Sequence, residues 1–155
     1  KRVHLISSSD SIKALNLKTE KLLVTNQTTM SFYDVYRLTE ELKQAYPHVK
    51  TVEEICDATK TRQEAVANQS RDINHCFVVG DKLSNNSNNL VKISKEKAGI
   101  NASLIETIKD LDIDLLKTLK KVSITSGAST PTKTTNQVIS FLEQFDQNNP
   151  STWTK

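Results

Sequence analysis

Short apolar runs separated by longer stretches of helical period recur along this chain. The runs Val3–Ile6, Leu22–Val24, Cys76–Val79, Ala102–Ile105 and Val122–Ile124 predict strands. Phe77–Val79 is apolar on both faces, as a strand covered on both sides should be. The spacing between the runs predicts helices. Ser31–Tyr46 puts Phe32, Val35, Leu38, Leu42 and Ala45 on one face, and Pro47 closes it. Thr59–Gln69 forms a second helix. Asn86–Ala98 forms a third, burying Leu90, Val91 and Ile93 and stopping at Gly99. Asp110–Lys121 reads as helical in part, around Leu115, Leu116 and Leu119. The last helix has Thr130 as its cap, Pro131 in its first position and a stripe of Val138, Phe141, Leu142 and Phe145. Strand and helix alternate, so the fold class is α/β: parallel-sheet αβα domains. Tyr46–Thr51 is the one linker-like stretch, and the Asn-, Ser- and Thr-rich end of the chain, 148–155, reads as a flexible tail.

Composition narrows this picture by exclusion. A chain of 155 residues accommodates one or two small domains. The net charge of +3 comes from interspersed charges without a Lys/Arg block or a base-reading motif, so no nucleic-acid partner is expected. No apolar run approaches the ~18–20 residues of a membrane helix, and no signal segment opens the chain; no membrane partner is expected. Two cysteines, Cys56 and Cys76, make no disulfide framework, which points to a cytoplasmic, reducing setting. With three glycines, neither a Walker loop nor a dinucleotide fingerprint can be built. The chain opens on Lys1 rather than Met, as an excised segment would.

Three predicted strands run into the same kind of polar cluster. Leu22–Val24 leads into Thr25-Asn26-Gln27-Thr28-Thr29. Cys76–Val79 leads into Gly80 and then Ser84-Asn85-Asn86-Ser87-Asn88. Val122–Ile124 leads into Thr125-Ser126-Gly127-Ala128-Ser129-Thr130. Ligands of open α/β sheets bind beyond the carboxyl ends of strands. Each cluster also precedes a helix, whose first N–H groups favour an anion. Hydroxyls and amides donate hydrogen bonds without the desolvation penalty of a buried lysine. A phosphate or diphosphate pocket would look like this; so would a set of ordinary helix caps and turns.

Cysteines and histidines add little when read alone. Cys56 follows Glu53-Glu54-Ile55 with no second Cys or His at ligand spacing, and reads as a small packing residue. Cys76 opens an apolar strand and reads as core. His4, His48 and His75 have no partner pattern.

Taken together, TNQTT at Thr25–Thr29, TVEEICDATKTRQEAV at Thr51–Val66, GDKLSNNSNNL at Gly80–Leu90 and TSGASTP at Thr125–Pro131 resemble 4-hydroxy-3-methylbut-2-enyl diphosphate reductases. These are iron–sulfur enzymes of the non-mevalonate isoprenoid route, and the chain resembles their C-terminal half. The resemblance implies a trefoil of three α/β domains, with 1–50 the latter part of the second and 51–147 the third. It implies that Thr28, Ser84, Asn85, Asn86 and Ser129 hold the substrate diphosphate, Asn85 standing where the family commonly has serine. It makes Cys56 the third of three cysteines on a [4Fe-4S] cluster whose remaining iron is open to substrate, unlike the usual four-cysteine ligation. Thr59, near the cluster or capping the following helix, fits either role. Ferredoxin or flavodoxin would supply electrons. The first two cluster cysteines, the histidines and the proton-delivering glutamate belong to the other half. No catalytic residue is therefore expected in these 155 residues, and alone they should be inactive. Against this stands a non-catalytic α/β module binding a sugar phosphate, or a lone segment that self-associates.

Overall fold

A computed structural model describes residues 3–19 and 21–155. The chain divides into two compact units, residues 1–56 and 57–155.

The first unit contains helix α1 (Ser9–Lys13), strand β1 (Leu23–Val24), helix α2 (Phe32–Ala45) and strand β2 (Lys50–Thr51). Helix α2 starts where expected because the Ser31 hydroxyl accepts from the Asp34 N–H, removing one unpaired donor of the first turn. Its apolar stripe buries Leu38 and Leu42 against Ile12, with Ile6, Leu15, Val24, Tyr46 and Val49 around them. Strands β1 and β2 are parallel, Leu23 opposite Lys50 and Val24 opposite Thr51. Strand β2 carries no apolar signal, and both its residues are exposed, which is why the hydrophobic pattern does not reveal it. The strand expected at Val3–Ile6 is absent. Val3 and Leu5 are 83% and 90% exposed, and no strand pairs with that segment among the described residues.

The second unit is a three-layer α/β/α sandwich. It comprises helix α3 (Asp57–Ala67), strand β3 (His75–Val79), helix α4 (Asn85–Ile93), strand β4 (Ala102–Ile105), helix α5 (Ile113–Thr118), strand β5 (Val122–Ser126) and helix α6 (Thr132–Gln144). The sheet is parallel in the order β4-β3-β5, with Phe77 opposite Ser103 on one side and Ile124 on the other. Central β3 is wholly buried, as its unbroken apolar run requires. Phe77 and Val79 pack with Ile105, Leu111, Leu116 and Val138 beneath α5 and α6. Helices α3 and α4 pack together, and α4 also lies on β3 and β4, forming the other outer layer. Burying Phe77 or Leu90 contributes roughly 1.5–3 kcal/mol each.

Several local expectations are corrected. Helix α4 gives way at Ser94 to a π-helical turn through Ala98, and Gly99 ends it at φ 70°, a conformation that suits glycine. The Asp110–Lys121 stretch splits into a 3₁₀ turn at Ile108–Asp110 and α5, because Asp110 closes a capping box with Thr107 and Asp112 caps a fresh helix. Pro150–Trp153 forms a 3₁₀ turn, Trp153 stacks on Phe145 at 6.4 Å, and its Nε1 donates to the Asp146 carbonyl. The Lys155 ammonium reaches the Leu111 carbonyl. Among the described residues no helix is long and apolar enough to cross a membrane.

Candidate functional site

The order β4-β3-β5 places a topological switch between β3 and β5: the chain leaves β3 for β4 on one side, then returns past it to β5 on the other. Two polar turns meet at the carboxyl ends of these strands. The Gly127 N–H donates to the Val79 carbonyl at 3.0 Å, and the Thr130 hydroxyl donates to the same carbonyl at 3.0 Å. The turn that carries Ser129 is thereby fastened to the end of β3. Thr130 is spent on that bond rather than on capping α6, which begins after Pro131 with no side-chain cap.

On the other turn, Ser84 is the N-cap of α4. Its Oγ accepts from the Ser87 N–H at 3.3 Å, which leaves its own O–H proton free to donate. Asn85 is exposed, and so is Ser129. Asn86 is only 4% exposed, yet neither its Nδ2 nor its Oδ1 has a hydrogen-bond partner. Ser87 Oγ is likewise buried and unpartnered. Buried polar groups are normally paired, and leaving one unpaired costs about 1–3 kcal/mol. The nearest cation on these turns, Lys82, is engaged by Glu106 at 3.7 Å and Asp110 at 3.5 Å. These turns therefore offer neutral donors: amide, hydroxyls, and the first N–H groups of α4, whose dipole points its positive end outward.

Thr28 and Cys56 lie in the first unit. Beyond the β1–β2 pair the two segments stay side by side: Val52 N–H donates to Val24, Glu54 N–H to the Asn26 side chain, and Cys56 N–H to the Thr28 carbonyl at 3.3 Å. Two of the motif residues are thus brought together through their backbones. Cys56 is exposed and its thiol is free. Thr59 sits inside α3 and is 1% exposed, so it does not cap that helix. Cys76 is buried as expected.

What two glycines within the motifs do emerges only in the structure. Gly80 and Gly127 directly follow β3 and β5, and a Cβ on either would strike Ser87 Oγ, at 2.3 Å and 2.5 Å respectively. In a chain with only three glycines, two placed directly after strands are the signal that pointed there.

A parallel α/β sandwich with unpartnered polar side chains at the switch point of its sheet defines the class of this protein. The chain belongs to the LytB protein family, whose model matches residues 1–143. It is 51% identical over 152 residues to the 4-hydroxy-3-methylbut-2-enyl diphosphate reductase of Geobacillus thermodenitrificans, covering 98% of this chain and 48% of that protein. Identity to the reductase of the same name from Bacillus subtilis is 50%, with the same coverage. The structure of the E-1-hydroxy-2-methyl-but-2-enyl-4-diphosphate reductase from Plasmodium falciparum is similar over 97% of this chain and 47% of that one, with a TM-score of 0.85 and 32% identity. The chain thus spans about half the length of the curated relatives it matches.

Proposed function

We propose that this chain is part of a 4-hydroxy-3-methylbut-2-enyl diphosphate reductase, with the ends of β3 and β5 gripping the diphosphate of its substrate. One observation carries the reading: the Asn86 amide is buried without a partner beside a helix N-terminus at the switch point. An anion there accepts from Asn86 Nδ2, the Ser84 and Ser129 hydroxyls and the first turn of α4. Asn85, exposed at that turn, donates from the rim; for Thr28, in the first unit, a role in binding rests on the family resemblance alone. The likeness to proteins named as reductases of a diphosphate supports the same reading.

The family resemblance also calls for an iron–sulfur cluster. This chain offers it one free, exposed thiol, Cys56, and among the described residues no three His, Cys, Asp or Glu side chains gather as a metal site. These residues do not hold a cluster by themselves. Cys56 is proposed as one ligand, the others coming from outside the 155 residues, and no chemical step is derived through the group. The chain's own part is to fix the charged end of the substrate. Remote binding of that kind orients the reacting end and limits its approach. Electrons come from a ferredoxin or flavodoxin, in the cytoplasm.

A chimera tests this. With this chain replacing the matching half of the Bacillus subtilis reductase, turnover is expected, and Cys56→Ser should abolish it. The isolated chain should show none. A folded chimera without turnover, or turnover by the isolated chain, contradicts the proposal.

A further inference from the structure

We infer that Ser87 is a positioning residue of this pocket, setting the gap between the turn that carries Ser84 and Asn86 and the turn that carries Ser129. The inference rests on the diphosphate reading above. Ser87 is 1% exposed, and its Oγ has no hydrogen-bond partner. That oxygen lies against the first residue beyond β3 and the first beyond β5: a Cβ would stand 2.3 Å from it on Gly80 and 2.5 Å from it on Gly127. Neither glycine has φ in the left-handed region, so what glycine supplies at both positions is room for the Ser87 hydroxyl. The two glycines are tied by adjacent bonds, Gly127 N–H to the Val79 carbonyl and Gly80 N–H to the Ile105 carbonyl. One hydroxyl, delivered by the first turn of α4, therefore touches both strand ends that flank the switch point.

The same contact locates Asn86. Its Nδ2 stands 3.8 Å from where a Gly127 Cβ would be, so the spacing at Ser87 sets how far the amide stands from the Ser129 turn. Alanine at 87 would fill most of the space without stranding an O–H, so the hydroxyl adds nothing to the fold that alanine lacks. What it adds is separation between the two turns.

The test uses the whole chain and inorganic diphosphate, titrated by calorimetry, with thermal midpoints measured alongside. Ser87→Ala is expected to melt at or above the wild-type temperature while binding diphosphate on the order of tenfold more weakly. Gly80→Ala should lower both the midpoint and the affinity. Adding Ser87→Gly to it should recover part of the midpoint, by relieving the clash, and none of the affinity. If Ser87→Ala binds like wild type while Ser129→Ala binds more weakly, the inference is wrong and the pocket stands. A midpoint for Ser87→Ala that falls along with its affinity also overturns it, since the hydroxyl would then serve the fold. If the wild-type chain binds no diphosphate, or if Ser129→Ala and Asn86→Ala both leave affinity unchanged, the pocket reading fails and takes this inference with it.

Discussion

The two ends of the β4-β3-β5 sheet treat buried polar groups in opposite ways. At the amino end, His75 Nε2 bonds Ser103 Oγ at 2.9 Å, and the Gln69 carboxamide donates to Ser94 Oγ at 2.9 Å and accepts from Ser123 Oγ at 2.6 Å. Ser94 Oγ donates in turn to the Ile100 carbonyl, and the Cys76 thiol lies beside the same group. Burial pushes that thiol's pKa up, against the pull of Ser123, Ser94 and Gln69. Every listener in this network has a speaker. At the carboxyl end, Asn86 and Ser87 are more deeply buried than Gln69, Ser103 and Ser123, and have none. Both ends carry serine hydroxyls and a carboxamide side chain, so those residue types do not separate them. Satisfaction does: a closed network stabilises the fold, whereas an open one is a site that a ligand completes.

Substitution should therefore have opposite signs at the two ends. The largest effect is expected from Asn86→Leu. Filling the same space without polar atoms should leave the free chain as stable as wild type or more so, while diphosphate binding weakens by about 10- to 150-fold, the equivalent of a charged hydrogen bond of roughly 1.5–3 kcal/mol. Calorimetry beside a urea melt separates the two quantities. A loss of stability with unchanged binding would reverse the assignment of the two ends. Next comes Gln69→Ala at the closed end, which strands the Ser123 hydroxyl. It should lower unfolding free energy by about 1–2 kcal/mol in urea and leave diphosphate affinity untouched.

The smallest effect concerns His75. Burial, with the Lys95 charge behind it, holds its pKa below the ordinary 6.5. A base whose folded pKa is depressed contributes stability that is present above 6.5 and is lost as pH falls from there toward the folded value, because the unfolded chain takes up the proton first. His75→Gln keeps a partner for Ser103 and should flatten the stability profile between about pH 7 and pH 5. A profile as steep as wild type would show that His75 is not its source.

Parts of the fold and the polar turns at the carboxyl end of the sheet could be read in the chain before its folding was known. The β3 run was legible because it is apolar on both faces, and α2 because Ser31 and Pro47 bracket its stripe. The three polar clusters were legible as strand-following turns. What escaped has physical reasons. Strand β2 is two exposed polar residues whose only mark is a pairing with β1. Val3–Ile6 has the alternation of a strand but finds no partner among the described residues, and alternation without a ladder does not make one. Thr130 looks like a cap and instead clamps the Ser129 turn to Val79, a contact across 51 residues. The amino-end network draws Gln69, Ser94 and Ser123 from positions far apart in sequence. Each looks like a surface polar residue, and only the fold makes them neighbours.

The most direct test is a titration of the isotopically labelled chain with inorganic diphosphate, followed amide by amide. The account predicts shifts confined to residues 84–88 and 127–130, with His75, Ser94 and Ser123 at the other end of the sheet unmoved. Shifts centred on the amino-end network, or none at the ends of β3 and β5, would contradict it.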